Sequence, residues 1–244
     1  MIVLTLLLTA ALHSHPAKAQ KAVPEPLINN EVIGRLTRYE LKPGHQELHQ
    51  ALTDYVMYAM AKEGNIMAEA YYEQNDTAVL WLIERWTNRS ELDKFCLGAQ
   101  AKAIGVLGKQ ALAKKVETYY VKDLEPISKA AWRRTAKTDD RPLTIMLFVD
   151  GKAGTQENFK RTYHIAMPQF RGEPGVVTYQ LSQVQGDDTR FVTYEKFRSE
   201  DAFQYHLAFP PIKPVLNYLE TSIKKQPFQA GLHNLIEFAP LTRE

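Results

Sequence analysis

The chain repeats itself, and a repeat of this length constrains the fold more than any single motif. Lys42-Pro43-Gly44, then Gly64, then Glu84 with Trp86 recur as Lys152-Ala153-Gly154, then Gly175, then Glu195 with Phe197. The offset between copies holds at 110 to 111 residues, and the glycine-to-glutamate spacing is 20 in both. Four landmarks in register mark two similar units rather than one large domain. The division that follows is a leader at residues 1–19, an N-terminal segment at 20–31, a first unit at 32–121, a linker at 122–142 and a second unit at 143–244.

Each copy carries the same order of elements. Val32–Leu41 and Leu143–Val149 are rich in apolar and β-branched residues and read as strands ending at a K-x-G turn. His45–Lys62 and Thr155–Phe170 place apolar side chains at helical spacing, and Pro168 is expected to shorten the second of these helices. Ile66–Glu73 with Ala78–Trp86, and Val176–Gln183 with Arg190–Phe197, read as hairpins broken at Gln74-Asn75-Asp76 and Gly186-Asp187-Asp188. A second helical region follows, and a final strand closes each copy, at Val116–Val121 and Asn234–Phe238. The order β-α-β-β-α-β is that of a ferredoxin-like α+β unit used twice. Such a unit leaves one apolar sheet face bare, and the tethered second copy is the partner nearest to hand to cover it.

Charge and cysteine content narrow the classes of function. The net charge is +2, each unit carries as many acidic as basic side chains, and the linker holds a small basic excess. No basic face is present for nucleic acid. The single cysteine, Cys96, excludes an internal disulfide or a multi-cysteine metal centre. His45 and His49, one helical turn apart, make at most two metal ligands, and a solvated face is the expectation. Ile2–Leu12 is an apolar run followed by Ala17-Lys18-Ala19, a secretory leader with cleavage expected after Ala19. It is too short to span a bilayer. The mature protein is therefore expected to be exported, periplasmic or secreted, with no membrane span. Trp132 in the linker is expected to anchor that segment to a domain surface.

The segment after the third strand is the most informative. Copy two reads Tyr194-Glu195-Lys196-Phe197-Arg198-Ser199-Glu200-Asp201-Ala202-Phe203-Gln204-Tyr205-His206, and copy one reads Ile83-Glu84-Arg85-Trp86 through Phe95. Together with the preceding E-P-G-V-V-x-Y at 173–179, this pattern resembles the antibiotic biosynthesis monooxygenase (ABM) family. The resemblance covers both units and is clearer in the second, because copy one has Phe95 where the family commonly has histidine. It implies that the two sheets pack into a dimeric α+β barrel, formed here within one chain as a monomeric pseudo-dimer.

The resemblance also implies chemistry. Family members include cofactor-free oxygenases of quinols and anthrones, in which an electron-rich substrate supplies the reducing power and molecular oxygen is the co-substrate. They need an apolar, aromatic-lined pocket, a base, and polar groups to hold an enolate. His206 is the expected base, since its ordinary pKa suits proton transfer near neutral pH. Glu195 points to the face opposite Tyr194; if that face is the helix-covered one, it could orient His206 or polarise a substrate hydroxyl. Tyr179, Phe197 and Phe203 in copy two, and Glu84, Trp86 and Tyr72 in copy one, are the expected substrate-binding residues. Three alternatives stand beside this. Either glutamate could simply pair with a neighbouring basic residue. The fold could capture a small aromatic molecule without turnover. Haem binding or degradation is not expected, because Phe197 replaces the tryptophan of haem-degrading members and Leu143–Val149 contains no asparagine.

Overall fold

A computed structural model describes residues 31–240; the leader and the first eleven residues of the N-terminal segment lie outside the described residues. The first unit runs β1 (Ile33–Glu40), α1 (Glu47–Met60), β2 (Asn65–Glu73), β3 (Asp76–Trp86), α2 (Arg89–Cys96), α3 (Ala99–Ala111) and β4 (Glu117–Asp123). A short helix, α4 (Lys129–Trp132), lies in the linker. The second unit runs β5 (Leu143–Asp150), α5 (Gln156–Arg171), β6 (Val176–Val184), β7 (Arg190–Phe197), α6 (Glu200–Ala208), α7 (Lys213–Thr221) and β8 (Leu232–Ala239). No helix among the described residues is long and apolar enough to cross a membrane.

The eight strands form one closed barrel in the order β1-β3-β2-β8-β5-β7-β6-β4. Each unit contributes four strands. The seams are made by the final strand of each unit: β4 pairs with β6 across Val121–Val184, and β8 pairs with β2 across Tyr71–Glu237. Closure removes every free strand edge, which is what makes the two sheets one body.

The repeated landmarks have local physical causes. Gly44 and Gly154 sit at φ +85° and +84°, a backbone region that side chains with a Cβ rarely enter. The lysine two residues earlier reaches across: Lys42 Nζ donates to Gln110 O at the end of α3, and Lys152 Nζ donates to Thr221 O at the end of α7. A cation there satisfies a terminal carbonyl and opposes the helix dipole. At Gly64 a Cβ would lie 2.8 Å from Glu91, and at Gly175 2.3 Å from Ala202, so each glycine lets a strand start pass beneath the following helix. Those helices are capped alike, Asn88 accepting from Glu91 N and Ser199 from Ala202 N.

Two expectations need correction. Pro168 does not shorten its helix: α5 continues to Arg171. Phe159, Tyr163, Met167 and Phe170 are buried along one face, and their packing outweighs the one backbone hydrogen bond that proline removes. Trp132 is not an anchor on an outer surface. It is 2% exposed inside one end of the barrel, with the Arg85 guanidinium 4.6 Å over its ring and Tyr194 5.6 Å away. Arg133 fixes this plug by donating to Ile66 O, Met60 O and Asn65 O.

Three cores result. One lies under α1–α3, one under α5–α7, and one fills the barrel interior around Leu36, Trp81, Met146, Val192 and Leu235.

Candidate functional site

β7 alternates as its sequence requires. Tyr194 enters the barrel interior, and Glu195 faces the helix-covered side together with Ile145, Tyr179 and Phe197. Glu195 is buried, and the adjacent strand places Tyr179 opposite it with its hydroxyl in hydrogen-bonding reach of the carboxyl. Tyr163 of α5 shares this hydrogen-bonded group through Tyr179. No cation is within this set, and burial pushes the Glu195 carboxyl up to about 7.

His206 is the one fully buried residue of α6. Its ring, 1% exposed, packs against Phe170, Tyr179 and Phe197 with centroids 4.8, 5.3 and 5.3 Å away. Phe203, half-buried on the same helix, covers Phe197 at 5.3 Å. The partner that orients His206 is not Glu195 but Glu173, whose Oε1 is 2.8 Å from Nδ1. Burial holds the imidazole neutral, its pKa down to about 4, and burial with the nearby Glu195 charge pushes Glu173 up to about 7. The second carboxylate Oε2 of Glu173 is buried with no partner.

The site is thus a glutamate, tyrosine, histidine, glutamate group walled by aromatic rings. Sequence reading found five of its members, Tyr179, Glu195, Phe197, Phe203 and His206, and missed Glu173. The signal was present: Glu173 opens the E-P-G-V-V-x-Y segment, two residues before the repeated Gly175. Its burial depends on how the α5–β6 turn meets α6, which no local pattern shows.

Copy one uses the same framework differently. Glu84 occupies the Glu195 position, but Arg35 of β1 reaches it with Nη2 2.5 Å and Nε 2.8 Å from Oε2. Tyr55 donates to Glu84 Oε1 at 2.9 Å, Trp86 Nε1 at 3.1 Å, and Arg35 Nη1 lies 3.0 Å from Cys96 Sγ. Pairing with a basic neighbour is therefore the role of Glu84 and not of Glu195, where Ile145 stands in place of the arginine. A 400 Å³ cavity opens beside Trp86 and Phe95, with Tyr58, Lys62 and Lys94 on its rim. Tyr72 is not part of this site. It stands opposite Leu80, four residues along from Ala68, which faces Glu84, a displacement of about 13 Å along the strand. Its ring stacks instead on Phe238.

His45 bonds Glu47, while His49 packs on Phe238. Among the described residues no group of three His, Cys, Asp or Glu side chains is arranged to hold a metal ion.

Comparison with known proteins agrees with this architecture. Residues 142–214 match the antibiotic biosynthesis monooxygenase family model. A solved structure of a candidate monooxygenase from Fusobacterium nucleatum superposes with TM-score 0.71 at 13% identity, covering 86% of this chain and 93% of that one. A candidate monooxygenase from Lactobacillus acidophilus gives 0.67 at 15%, covering 85% and 94%. An anthrone oxidase-like protein gives 0.57 at 12%, covering 88% and 97%. At these identities the structural likeness speaks for the fold, two units in one barrel. No sequence among the curated proteins matches the chain.

Proposed function

From its place in the antibiotic biosynthesis monooxygenase (ABM) family, carried by residues 142–214 and the tandem barrel, we propose a cofactor-independent monooxygenase. Its substrates are quinol-like or polycyclic aromatic molecules, and the second unit does the chemistry. The observation that carries this reading is the Glu195 carboxyl, buried without a cation and held near 7. A base in that range abstracts a phenolic or ring C–H proton at neutral pH while remaining ionised in a useful fraction of molecules.

The geometry redistributes the roles expected from sequence. His206, neutral down to about pH 4, is a weak base on its own; Glu195 is the base, and the Glu173–His206 pair holds a second proton beside it. Tyr179 donates to the developing enolate oxygen. The enolate then gives its electrons to molecular oxygen. For a ring methylene the reaction balances as one methylene and one dioxygen giving one ring carbonyl and one water. The two hydrogens of the methylene leave in that water, with one oxygen atom in each product. The rings of Phe197 and Phe203 exclude water from the anion. The substrate enters by displacement of α6, which is held in the core by one fully buried side chain. The leader at residues 1–19 puts this reaction outside the cytoplasm; an intact Met1 on the mature protein would overturn that part.

Oxygen uptake with a panel of reduced quinols and anthrones tests the reading. Glu195→Gln should lose activity by about 100-fold or more, the scale of a general base, and His206→Ala by a smaller factor. Equal uptake by wild type and Glu195→Gln on every substrate would sink it. A second reading rests on the cavity of copy one, where Arg35 neutralises Glu84 beside aromatic walls: capture without turnover. Saturable quinol binding with no oxygen uptake above the protein-free rate is the outcome it expects.

A further inference from the structure

The barrel is sealed at one end and open at the other. Trp132 and Arg133 plug the end where β3 and β7 finish, whereas the opposite end holds a 440 Å³ cavity. That volume lies within the range of small-molecule sites, roughly 300–1,000 Å³. It is remote from Glu195, which faces the helices on the outer side of the sheet.

Both units build its wall. Trp81 and Tyr119 come from the first, and Phe148 and His233 from the second. The rings form a continuous aromatic surface: Trp81 to Phe148 at 6.0 Å, Tyr119 to Phe148 at 5.0 Å, and Trp81 to His233 at 5.2 Å. Glu73 locks this surface, accepting from Trp81 Nε1 at 3.0 Å and lying 3.0 Å from His233 Nδ1. The polar rim carries three cations, Arg38, Arg190 and Lys225, and the carboxylates Glu117 and Asp150. Arg38 is compensated by Glu40 and Glu117. Arg190 lies over the Tyr119 and Phe148 rings at 5.0 and 5.2 Å. Asp150 Oδ1 is 3.2 Å from its Nε, yet that buried nitrogen has no hydrogen-bond partner. Lys225 lines the same cavity, exposed and without a partner among the described residues.

We propose that the open barrel mouth is a second small-molecule site, taking a planar aromatic carboxylate. The ring lies on the Trp81–Tyr119–Phe148 surface, and the carboxylate bridges Arg190 and Lys225. A flat π-system matches the aromatic wall, and an anion meets Lys225, which has no partner among the described residues, and Arg190, whose Nε makes no hydrogen bond. The site needs no part of the oxygenase reading, and no covalent step occurs in it.

Calorimetric titration of the full chain with 2-naphthoate and with neutral 2-naphthamide tests the proposal. Naphthoate should bind with one site per chain and about tenfold or more tighter than the amide, the factor that one charge-assisted contact supplies. Lys225→Ala removes an exposed side chain with no partner, so the fold and oxygen uptake should stay unchanged while naphthoate affinity falls about tenfold and amide affinity does not. Glu195→Gln should bind naphthoate as wild type does. No saturable binding, equal affinities for the two probes, or loss of naphthoate binding in Glu195→Gln with none in Lys225→Ala would each overturn it. Failure of oxygen uptake alone would overturn only the oxygenase reading.

Discussion

Glu84 and Glu195 are one position of the repeat in two environments, and the substitutions around it make the difference. Arg35, Tyr55, Trp86, Ala68 and Leu52 of the first unit correspond to Ile145, Ala166, Phe197, Tyr179 and Tyr163 of the second. A carboxylate held by an arginine, a phenol and an indole N–H therefore becomes a carboxyl that the Tyr179 hydroxyl reaches, with its charge uncompensated. The consequence for stability has a definite sign. In the native state Glu195 keeps its proton up to about 7, against an ordinary 4.5. The unfolded chain releases that proton earlier, so the contribution is complete below pH 4.5 and is lost as pH rises through 7. His206 acts in the opposite sense, its contribution present above 6.5 and lost as pH falls to about 4. Glu195→Gln should match wild type near pH 4.5 and exceed its stability at pH 8 by up to about 3 kcal/mol. Urea unfolding at the two pH values measures this; an equal difference at both would contradict it. The repeated glycines, lysines and glutamates were legible because each answers a local demand: a positive φ, a helix terminus, a close approach. Glu173 and Arg35 were not, because their partners lie 33 and 49 residues away and meet them only once the helices are seated.

At the level of elements, α5 and α6 differ in how firmly they are held. Five side chains of α5 are buried, Phe159, Tyr163, Ala166, Met167 and Phe170, whereas α6 buries His206 alone among its own. Opening α6 exposes little apolar surface and uncovers the site, which suits an element that must move for a substrate. Amide hydrogen exchange should be faster through residues 200–208 than through 156–171, and faster than in β7. Protection of α6 equal to that of β7 would argue against entry by this route. Strand positions, hairpins and helix order could all be read from periodicity and turn residues. The seams could not: that β4 would pair with β6 and β8 with β2 depends on strand partners about 60 residues apart or more, and no alternation of side chains specifies a partner. Trp132 was misplaced for a related reason. Its surrounding sequence is polar, and the hole it fills exists only after closure.

The whole molecule is held by interactions that neither unit has alone. Lys196 of β7, bonded within its own unit to Glu237 at 2.9 Å, reaches Glu69 of β2 at 2.8 Å, and the Tyr194 hydroxyl donates to the same Glu69 at 2.5 Å. At the other seam Ser182 of β6 donates at 2.7 Å to Asp123 of β4, the carboxylate that Arg85 of the first unit holds at 3.2 Å, and Arg85 Nη2 donates to Ser182 at 3.3 Å. Residues 31–124 produced alone would leave Glu69 without its cation and both edges of the sheet unpaired. That fragment should self-associate or fail to fold, as sedimentation would show; a stable folded monomer would contradict this account of the barrel.

The plug has a consequence for how such a barrel could arise. Trp132 fills one end of the barrel, between Arg85 of one unit and Tyr194 of the other. That end of the barrel holds one such plug, so in a barrel assembled from two identical chains two tryptophans would compete for a single hole. Joining the copies in one polypeptide abolishes that competition. It also lets each half accept changes that the other need not share, as Arg35 against Ile145 and Phe95 against His206 record. The fusion is thus a licence for asymmetry, with the singly occupied hole as its mark.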